Sequence, residues 1–221
     1  MNLDLLRDGA PLIPGGATTA LPRLFEIFTP LASDQAGVRL SGVRGLSELL
    51  ATSGDIGKHV VPYLGEEARP VRAILFDKSP QTNWALGWHQ DRTVAVKAQI
   101  DVEGFGPWTI KQGIVHVGPP MDLLGAMITI RVHLDPVPQD NAPLLIAPKS
   151  HMLGRIPEDQ IAEIVARCGV FTCTAEAGDI WLYSTPILHA SERAANPAHR
   201  RVLQVDYSAD DLPDGLEWLG I

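Results

Sequence analysis

Hydrophobic and polar residues follow one period up to about residue 70 and a different period afterwards. Within residues 17–31 the apolar positions recur at spacings of three and four, at Leu21, Leu24, Phe25, Phe28 and Leu31. That spacing predicts an amphipathic helix, and shorter helices are predicted over residues 45–54 and 59–65. We therefore expect residues 1–69 to form a helical layer that covers a sheet.

The rest of the chain alternates apolar and β-branched residues with polar ones, a period of two that is typical of strands. The alternating runs occupy residues 71–80, 93–104, 125–138, 169–184 and 199–209. One helix is predicted among them, over residues 157–169, so the pattern argues against repeated βαβ units. It predicts a single, mainly β domain, a jelly roll or sandwich, with residues 70–207 as its core and residues 208–221 as a tail.

Length and charge narrow the class of function. The chain has 221 residues and a formal net charge of −8. It can therefore hold one sizeable core, and it lacks the basic surplus of proteins that bind nucleic acid or anionic membranes. No apolar run is long enough for a membrane span, and the acidic N-terminus differs from a secretory signal. We expect a cytoplasmic protein, monomeric or homodimeric, whose partner is a small molecule.

Candidate metal chemistry centres on His89 and Asp91. Residues i and i+2 of a strand point to the same face, so both side chains can reach one ion while Gln90 points away. The chain has seven histidines, and the one whose surroundings suit a third ligand is His189, at the end of an apolar strand. Two histidines and a carboxylate on one face of an octahedron leave three positions open and suit Fe(II).

A carboxylate-binding group is predicted close to the third ligand. Ser191 lies two residues after His189 and shares its strand face. After a turn at Asn196-Pro197 the chain returns with Arg200 and Arg201. Arginine binds carboxylates through paired hydrogen bonds, and only one of two consecutive strand residues can face a pocket.

Together these residues resemble a known family. The order His89-x-Asp91, then His189, then Arg200 is similar to that of the phytanoyl-CoA dioxygenase family of Fe(II)/2-oxoglutarate oxygenases. The stretch AGDIWLYSTPILHAS, which ends at Ser191, resembles that family's segment of Gly-Asp, strand and His-x-Ser.

A second stretch extends the resemblance to roughly residues 70–207. HLDPVPQDNAPLLIAPKSH, residues 133–151, is similar to the family's segment that carries Leu-Asp, Asn-Gly-Pro-Leu and Pro-Gly-Ser-His. The chain departs from that segment at Ala142 and Lys149, where the family has glycine. Both departures lie in turns, so they concern the shape of that loop rather than the iron ligands.

The resemblance implies a double-stranded β-helix, or cupin-like jelly roll, with the site in its mouth. His89, Asp91 and His189 would bind Fe(II), and 2-oxoglutarate would bind through its 2-oxo acid end. Arg200 would hold the distal carboxylate with help from Ser191, with Arg201 as the competing anchor. Dioxygen would be consumed, succinate and carbon dioxide released. Asp91 fills the position that related halogenases leave for chloride, which favours hydroxylation of a C–H bond.

Three residues of one predicted strand are further candidates. Thr129, Arg131 and His133 share a face, which either lines a polar pocket or forms an outward polar surface. In a pocket, we expect Thr129 to contact 2-oxoglutarate and the other two to contact substrate. Lys78 could reach an anion, but a solvated side chain is the expectation for it.

Candidate substrate contacts also lie near the first two iron ligands and in a long connection. Trp88 precedes His89 and either walls the pocket or belongs to the core. Residues 103–122 are rich in Gly and Pro and are expected to form a lid-like loop, which makes Gln112 and His116 candidates.

Two other functions remain open at this point. A cupin-like isomerase or hydrolase could use the same histidines with zinc or another metal, and it would not need Arg200 and Ser191. A non-enzymatic ligand-binding jelly roll would tolerate the loss of His89.

Overall fold

Strands build most of the fold in this computed structural model, which describes residues 3–31 and 37–221. In chain order they are β1 (Leu12–Ile13), β2 (Gly37–Leu40), β3 (Arg69–Lys78), β4 (Leu86–His89), β5 (Val94–Val96), β6 (Trp108–Lys111), β7 (Ile114–Val117), β8 (Ile128–His133), β9 (Leu144–Ile146), β10 (Phe171–Cys173), β11 (Ile180–Ser184), β12 (His189–Ser191) and β13 (Arg200–Ser208).

Two antiparallel sheets enclose the interior. The larger sheet has the strand order β1-β11-β8-β13-β3-β2, and the smaller one has the order β10-β9-β12-β4. Consecutive members of each sheet pair across long connections, as in a jelly roll. The predicted double-stranded β-helix is therefore confirmed.

Helices lie outside the two sheets, those near the N-terminus against the larger sheet and the one over Ile161–Cys168 beside the smaller sheet. They are α1 (Leu5–Asp8), α2 (Leu21–Phe28), α3 (Leu46–Leu50), α4 (Val61–Leu64), α5 (Met121–Gly125) and α6 (Ile161–Cys168). Leu24 of α2 and Leu50 of α3 are fully buried in one apolar cluster with Leu203 of β13. The Tyr207 hydroxyl donates a hydrogen bond to the Leu50 carbonyl, 2.9 Å away. No helix of residues 3–31 or 37–221 is long and apolar enough to cross a membrane.

The central strands β3 and β13 carry different chemistry on their two faces. Leu203 and Val205 of β13 are fully buried on the helix side. Arg200 and Gln204 of the same strand point the other way and line a cavity between the sheets. Lys78 of β3 lies opposite Arg200 in the antiparallel register. Period-two alternation thus separates the packing face from the face available for chemistry.

Replacing Leu203 by alanine tests the packing face. The side chain is fully buried, so we expect a loss of about 3 kcal/mol in the free energy of unfolding, from lost burial and the cavity left behind. Urea denaturation followed by circular dichroism measures it. Leu6→Ala is the matched control, because Leu6 is 78% exposed and should change stability by less than about 0.5 kcal/mol. Equal stabilities of the two variants would contradict the assignment of the core.

The first 69 residues do more than cover the sheet. They also supply β1 and β2, the two edge strands of the larger sheet. Val38 of β2 pairs with Leu75 of β3, so this segment contributes directly to the sheet. The expected helical layer is thus incomplete rather than absent, because strands of two and four residues are too short to show a period in the sequence.

The expectation that residues 103–122 form a loop is wrong. Strands β6 and β7 form a hairpin within it, and with β5 they make a third sheet. The hairpin turns at Gln112 and Gly113, whose φ angles are 51° and 79°. Positive φ at both central residues is the geometry that suits a two-residue hairpin turn. The C-terminal tail packs here, with Trp218 bridging to Val96.

Candidate active site

Three side chains meet where the smaller sheet faces the cavity. His89 ends β4, His189 begins β12, and the two are opposite each other in the antiparallel register. Their ring centroids are 4.2 Å apart. Asp91 follows β4, and one ligand atom from each of the three side chains lies within 4.8 Å of the others. The structure therefore brings together the three residues that the sequence singles out as metal ligands.

Hydrogen bonds to the backbone orient both imidazole rings. Nδ1 of His89 lies 2.8 Å from the Gly87 carbonyl, and Nδ1 of His189 lies 2.9 Å from the Ile187 carbonyl. Because a carbonyl oxygen only accepts, each Nδ1 carries a proton, which leaves Nε2 as the ring nitrogen that can bind a metal. Burial, and next the charge of His89, lower the pKa of His189 to about 4. His189 is therefore neutral at physiological pH, as a metal ligand must be.

The carboxylate is fixed by two donors from the larger sheet. Arg72 Nη2 lies 3.2 Å from Asp91 Oδ2, and Gln204 Nε2 lies 3.3 Å from the same oxygen. Burial alone raises the pKa of Asp91, but Arg72 and then His189 outweigh it and bring the pKa to about 2. Asp91 is thus ionised and oriented. Two imidazoles and one carboxylate form a donor set that suits Fe(II).

A buried network supports Arg72 from behind. Its Nε lies 2.5 Å from Asp206 Oδ2, and the Thr129 hydroxyl donates to Asp206 Oδ1 at 3.0 Å. Thr129 also contacts the Thr185 hydroxyl at 3.0 Å. The structure thus places Thr129 behind the cavity wall, outside its lining, and not at the expected 2-oxoglutarate contact. Its position makes it a support for Asp91, acting through Asp206 and Arg72.

The cavity beside the three ligands has a volume of about 200 Å³. At one end Arg200, Ser191 and Lys78 come together. Arg200 Nη1 donates to the Ala142 carbonyl at 2.7 Å. Its Nε is buried and has no hydrogen-bond partner among the described residues. Burial, and next the charge of Arg131, lower the pKa of Arg200 to about 9. An anion bound at this end would accept a hydrogen bond from Nε and would stabilise the charged form of Arg200.

The neighbouring arginine faces the other way. Arg201 makes two hydrogen bonds to Asp135, 2.9 Å from Nε to Oδ2 and 2.6 Å from Nη2 to Oδ1. Its guanidinium also lies 4.8 Å from the ring centroid of Phe25, on the helix side of the sheet. Among the two candidates for a carboxylate anchor, only Arg200 therefore reaches the cavity.

The expectation that Lys78 is solvated is wrong, because its side chain is buried. It is 3% exposed. Its amine donates to the Trp84 carbonyl at 2.7 Å and to the Ser191 hydroxyl at 3.1 Å. Burial, and next the charges of Arg200 and Arg131, lower its pKa to about 7. The alternation Arg72, Ile74, Phe76 and Lys78 along β3 was the signal in the sequence that these side chains share the cavity face.

The candidates on β8 divide between the cavity wall and the layer behind it. Arg131 lines the cavity and donates from Nη1 to Gln204 Oε1 at 2.8 Å. His133 is buried outside the lining, and neither ring nitrogen has a partner among the described residues. Burial, and next Arg131, hold the pKa of His133 well below its usual range. The face of β8 that carries Thr129, Arg131 and His133 therefore points into the protein and does not form an outward polar surface.

The other candidate substrate contacts lie outside the cavity lining. Trp88 borders a separate open groove beside α6. Gln112 sits in the β6–β7 turn and donates to the Gly37 carbonyl at 3.2 Å. His116 is fully buried, with Nδ1 bonded to the Ile114 carbonyl at 2.9 Å. The expectation for these three followed from closeness in sequence to the metal ligands or from loop composition, and neither fixes where a side chain points.

Solved structures share this fold at low sequence identity. HygX from Streptomyces hygroscopicus, with nickel and 2-oxoglutarate bound, matches with a TM-score of 0.63 and 14% identity, over 92% of this chain and 84% of that one. EctD from S. alaskensis in its apoform gives 0.63 and 15%, over 98% and 78%. SnoN, a non-heme alpha ketoglutarate dependent epimerase from nogalamycin biosynthesis, gives 0.61 and 15%, over 96% and 87%. These likenesses establish the fold.

Family membership comes from the sequence. No curated protein matches the chain. The family model for phytanoyl-CoA dioxygenase (PhyH) matches residues 55–202, more than half of the chain. That range contains His89, Asp91, His189 and Arg200, and it begins ahead of the stretch that carries the sequence motifs. The chain belongs to the phytanoyl-CoA dioxygenase family.

Proposed function

We propose that the protein is an Fe(II)- and 2-oxoglutarate-dependent dioxygenase that hydroxylates a C–H bond of a small organic molecule. The observation that carries the proposal is one cavity with two chemically distinct ends. His89, Asp91 and His189 converge at one end, and Arg200 with Ser191 lies at the other. A metal face and a carboxylate anchor are the two groups that this co-substrate requires.

Each residue has a defined role in that scheme. His89, Asp91 and His189 would hold the iron, and Arg200 and Lys78 would hold the distal carboxylate of 2-oxoglutarate. When bound, the iron and 2-oxoglutarate supply the activation of dioxygen, with succinate and carbon dioxide as products. Arg72 and Gln204 keep Asp91 ionised and oriented. The apolar walls at Ile74 and Phe76 exclude water from the cavity.

Hydroxylation is the finer part of the proposal. The structures with this fold include an epimerase and SnoK, a carbocyclase, both named as alpha ketoglutarate dependent. Asp91 supports oxygen insertion over halogenation, because it occupies the position where a halide would bind. A hydrolase or isomerase that uses the triad with another metal would leave the buried Arg200 without a function.

An anaerobic titration tests the co-substrate site. Apo-protein is titrated with Fe(II) and 2-oxoglutarate, and the visible metal-to-ligand charge-transfer band is followed. We expect a band that saturates with both components, and in air an uncoupled release of succinate. Screening of organic molecules for one that accelerates succinate release, with mass spectrometry of the product under ¹⁸O₂, then tests hydroxylation. No band with iron binding intact would overturn the oxygenase proposal.

The pKa of Lys78 predicts a pH dependence of 2-oxoglutarate binding. Its pKa is about 7 in the unliganded protein, and a bound carboxylate favours the charged form. Binding therefore takes up a proton above pH 7, and affinity should fall by up to about tenfold per pH unit there. Below pH 7 the amine is already charged, so affinity should level off.

Lys78→Met should remove this slope. It should also weaken binding at about pH 6 by about tenfold, because a charged hydrogen bond is lost. Charge-transfer titrations from about pH 6 to about pH 8 measure both effects. Lys97→Met is the control, since Lys97 pairs with Glu217 on the surface. A slope that persists in Lys78→Met would assign the proton to another group.

A further inference from the structure

The cavity carries a positive surplus within an acidic protein. Its described lining includes one carboxylate, Asp91, and six cations, Arg39, Arg72, Lys78, Lys111, Arg131 and Arg200. The chain as a whole has 18 Lys and Arg against 26 Asp and Glu. Because the chain as a whole has more acidic than basic residues, the positive surplus is a local property of this cavity. Such a cavity concentrates anions.

Three of these cations have a carboxylate partner in the protein or in the proposed co-substrate. Arg72 is paired with Asp91 and Asp206. Arg131 donates to the neutral Gln204 amide, and its Nε has no hydrogen-bond partner among the described residues. Lys78 and Arg200 lie together at the end assigned to the distal carboxylate of 2-oxoglutarate. Two further cations, Arg39 and Lys111, remain.

Arg39 and Lys111 come from different elements that meet beside the metal ligands. Arg39 lies on β2 opposite Ile74, and Lys111 ends β6 at the hairpin turn. The hydrogen bond from Gln112 to the Gly37 carbonyl, 3.2 Å long, joins that turn to β2. Burial, followed by the charges of Arg72 and Arg39, lowers the pKa of Lys111. The two side chains therefore belong to adjacent elements and line the same cavity.

Neither cation has an acidic partner among the residues that the structure describes. Nε of Arg39 is buried without a hydrogen-bond partner. The amine of Lys111 bonds to the Thr93 hydroxyl at 3.2 Å. The carboxylate whose charge acts on Lys111 is Asp91, which already accepts from Arg72 and Gln204. Partly buried cations left in this state are destabilising unless an anion binds.

One 2-oxoglutarate molecule cannot satisfy both cationic ends. The two groups lie at different points along β3, with Arg39 opposite Ile74 and Arg200 opposite Lys78. Ile74 and Lys78 are four residues apart, so at about 3.3 Å per residue the two groups are about 13 Å apart along the strand, which is longer than one 2-oxoglutarate molecule. The co-substrate anchored at Arg200 therefore leaves the pair Arg39 and Lys111 to another molecule.

We propose that the substrate is an organic anion whose carboxylate or phosphate group binds between Arg39 and Lys111. Its carbon frame packs against Ile74, Phe76 and Leu86, which supply the apolar part of the cavity wall. This inference rests on the proposed oxygenase function. It adds the substrate class, and the position of the anionic group relative to the bond that is oxidised.

Calorimetric titration of the anaerobic Fe(II)–2-oxoglutarate complex tests it. The probes are benzoate and phenyl phosphate, with benzamide as the neutral counterpart of benzoate. Saturating 2-oxoglutarate blocks the Arg200 end, so that anions report on the other end. We expect one of the two anions to bind the wild-type complex at least about tenfold more tightly than benzamide, because each charged hydrogen bond contributes to anion affinity alone.

Variants locate the binding group. Arg39→Gln and Lys111→Gln should each lower the affinity for the anion by about tenfold or more. Lys111→Arg should keep most of the wild-type affinity. Arg23→Gln and Lys97→Gln are matched controls, since these side chains pair with Glu26 and Glu217 on the surface. The charge-transfer band, measured on every variant, shows that the iron and 2-oxoglutarate site is intact.

The outcomes separate this inference from the function on which it rests. A missing charge-transfer band in the wild type would overturn both. A normal band with no preference for anions over benzamide would overturn the anionic substrate and leave the oxygenase function standing. Anion binding that is unaffected by Arg39→Gln and Lys111→Gln, or that competes with 2-oxoglutarate, would also overturn it.

Discussion

Replacement of His189 by alanine is expected to abolish 2-oxoglutarate turnover. Loss of a supporting residue around a metal typically costs 10- to 100-fold in affinity, so loss of a ligand should weaken iron binding by more than about 100-fold. His89→Ala should have the same effect, because the two rings occupy equivalent positions on paired strands. The charge-transfer band at fixed Fe(II), followed by succinate release in air, measures the loss.

A histidine elsewhere in the fold is the control for both variants. His59 bonds to the Gly16 carbonyl at 2.9 Å and lies outside the cavity lining. His59→Ala should keep the full band and full turnover. Circular dichroism of all three variants checks the fold, since His189 is buried. A His189→Ala protein that folds and keeps the wild-type band would remove His189 from the metal site.

Adjacent arginines offer an equally sharp contrast at the other end of the cavity. Arg200→Ala should raise the 2-oxoglutarate concentration for half-saturation by about 100-fold, because truncation of a buried charged partner costs on the order of 2–5 kcal/mol. Arg201→Ala should leave that concentration unchanged, since its partner is Asp135 on the other face of the sheet. Charge-transfer titrations of the two variants make the comparison.

Stability measurements complete the contrast. Arg201→Ala loses a partly exposed ion pair, with an expected cost of about 1 kcal/mol or less in the free energy of unfolding. Arg200→Ala should be neutral or stabilising without 2-oxoglutarate, because it removes a desolvated charge. Equal shifts in 2-oxoglutarate affinity for the two variants would show that the carboxylate is held elsewhere.

Much of the site follows from alternation within single strands. The i, i+2 relation predicts that His89 and Asp91 converge, and the same rule separates Arg200 from Arg201. These relations depend on backbone geometry that neighbouring residues share, so they can be worked out without knowing the fold. The jelly roll itself was predictable because short alternating runs, with one helix among them, favour two packed sheets.

Contacts between distant parts of the chain were not predictable in this way. Lys78 looked like a solvated lysine because its burial depends on the register that places it opposite Arg200. Lys111 lay in an apparent loop, since a four-residue strand leaves little periodic signal. Thr129 was expected at the co-substrate, whereas its neighbours across the sheet direct it to Asp206. In each case the pairing of strands determines where the side chain lies, and this pairing cannot be worked out from one sequence alone.

The two departures from the family pattern have a conformational meaning. Ala142 and Lys149 stand where the family has glycine, and their φ angles are 51° and 71°. Both therefore keep a left-handed backbone that costs a residue with a side chain about 1–2 kcal/mol. The Ala142 carbonyl accepts hydrogen bonds from Arg200 and Ser191. The loop shape is thus retained at this position together with the orientation of the carboxylate-binding group.

The two-faced character of β3 and β13 has an evolutionary consequence. Even-numbered residues such as Ile74 and Gln204 line the cavity, whereas odd-numbered ones such as Leu75 and Leu203 pack under the helices. Mutations at odd and even positions should therefore have different effects. Those at odd positions should change stability, and with it the amount of protein that accumulates in the cell. Those at even positions should change which molecules the cavity binds. A lineage can therefore change its substrate at even positions such as Ile74 and Phe76, which hold neither Asp91 nor the co-substrate in the proposed scheme, while its abundance stays constant.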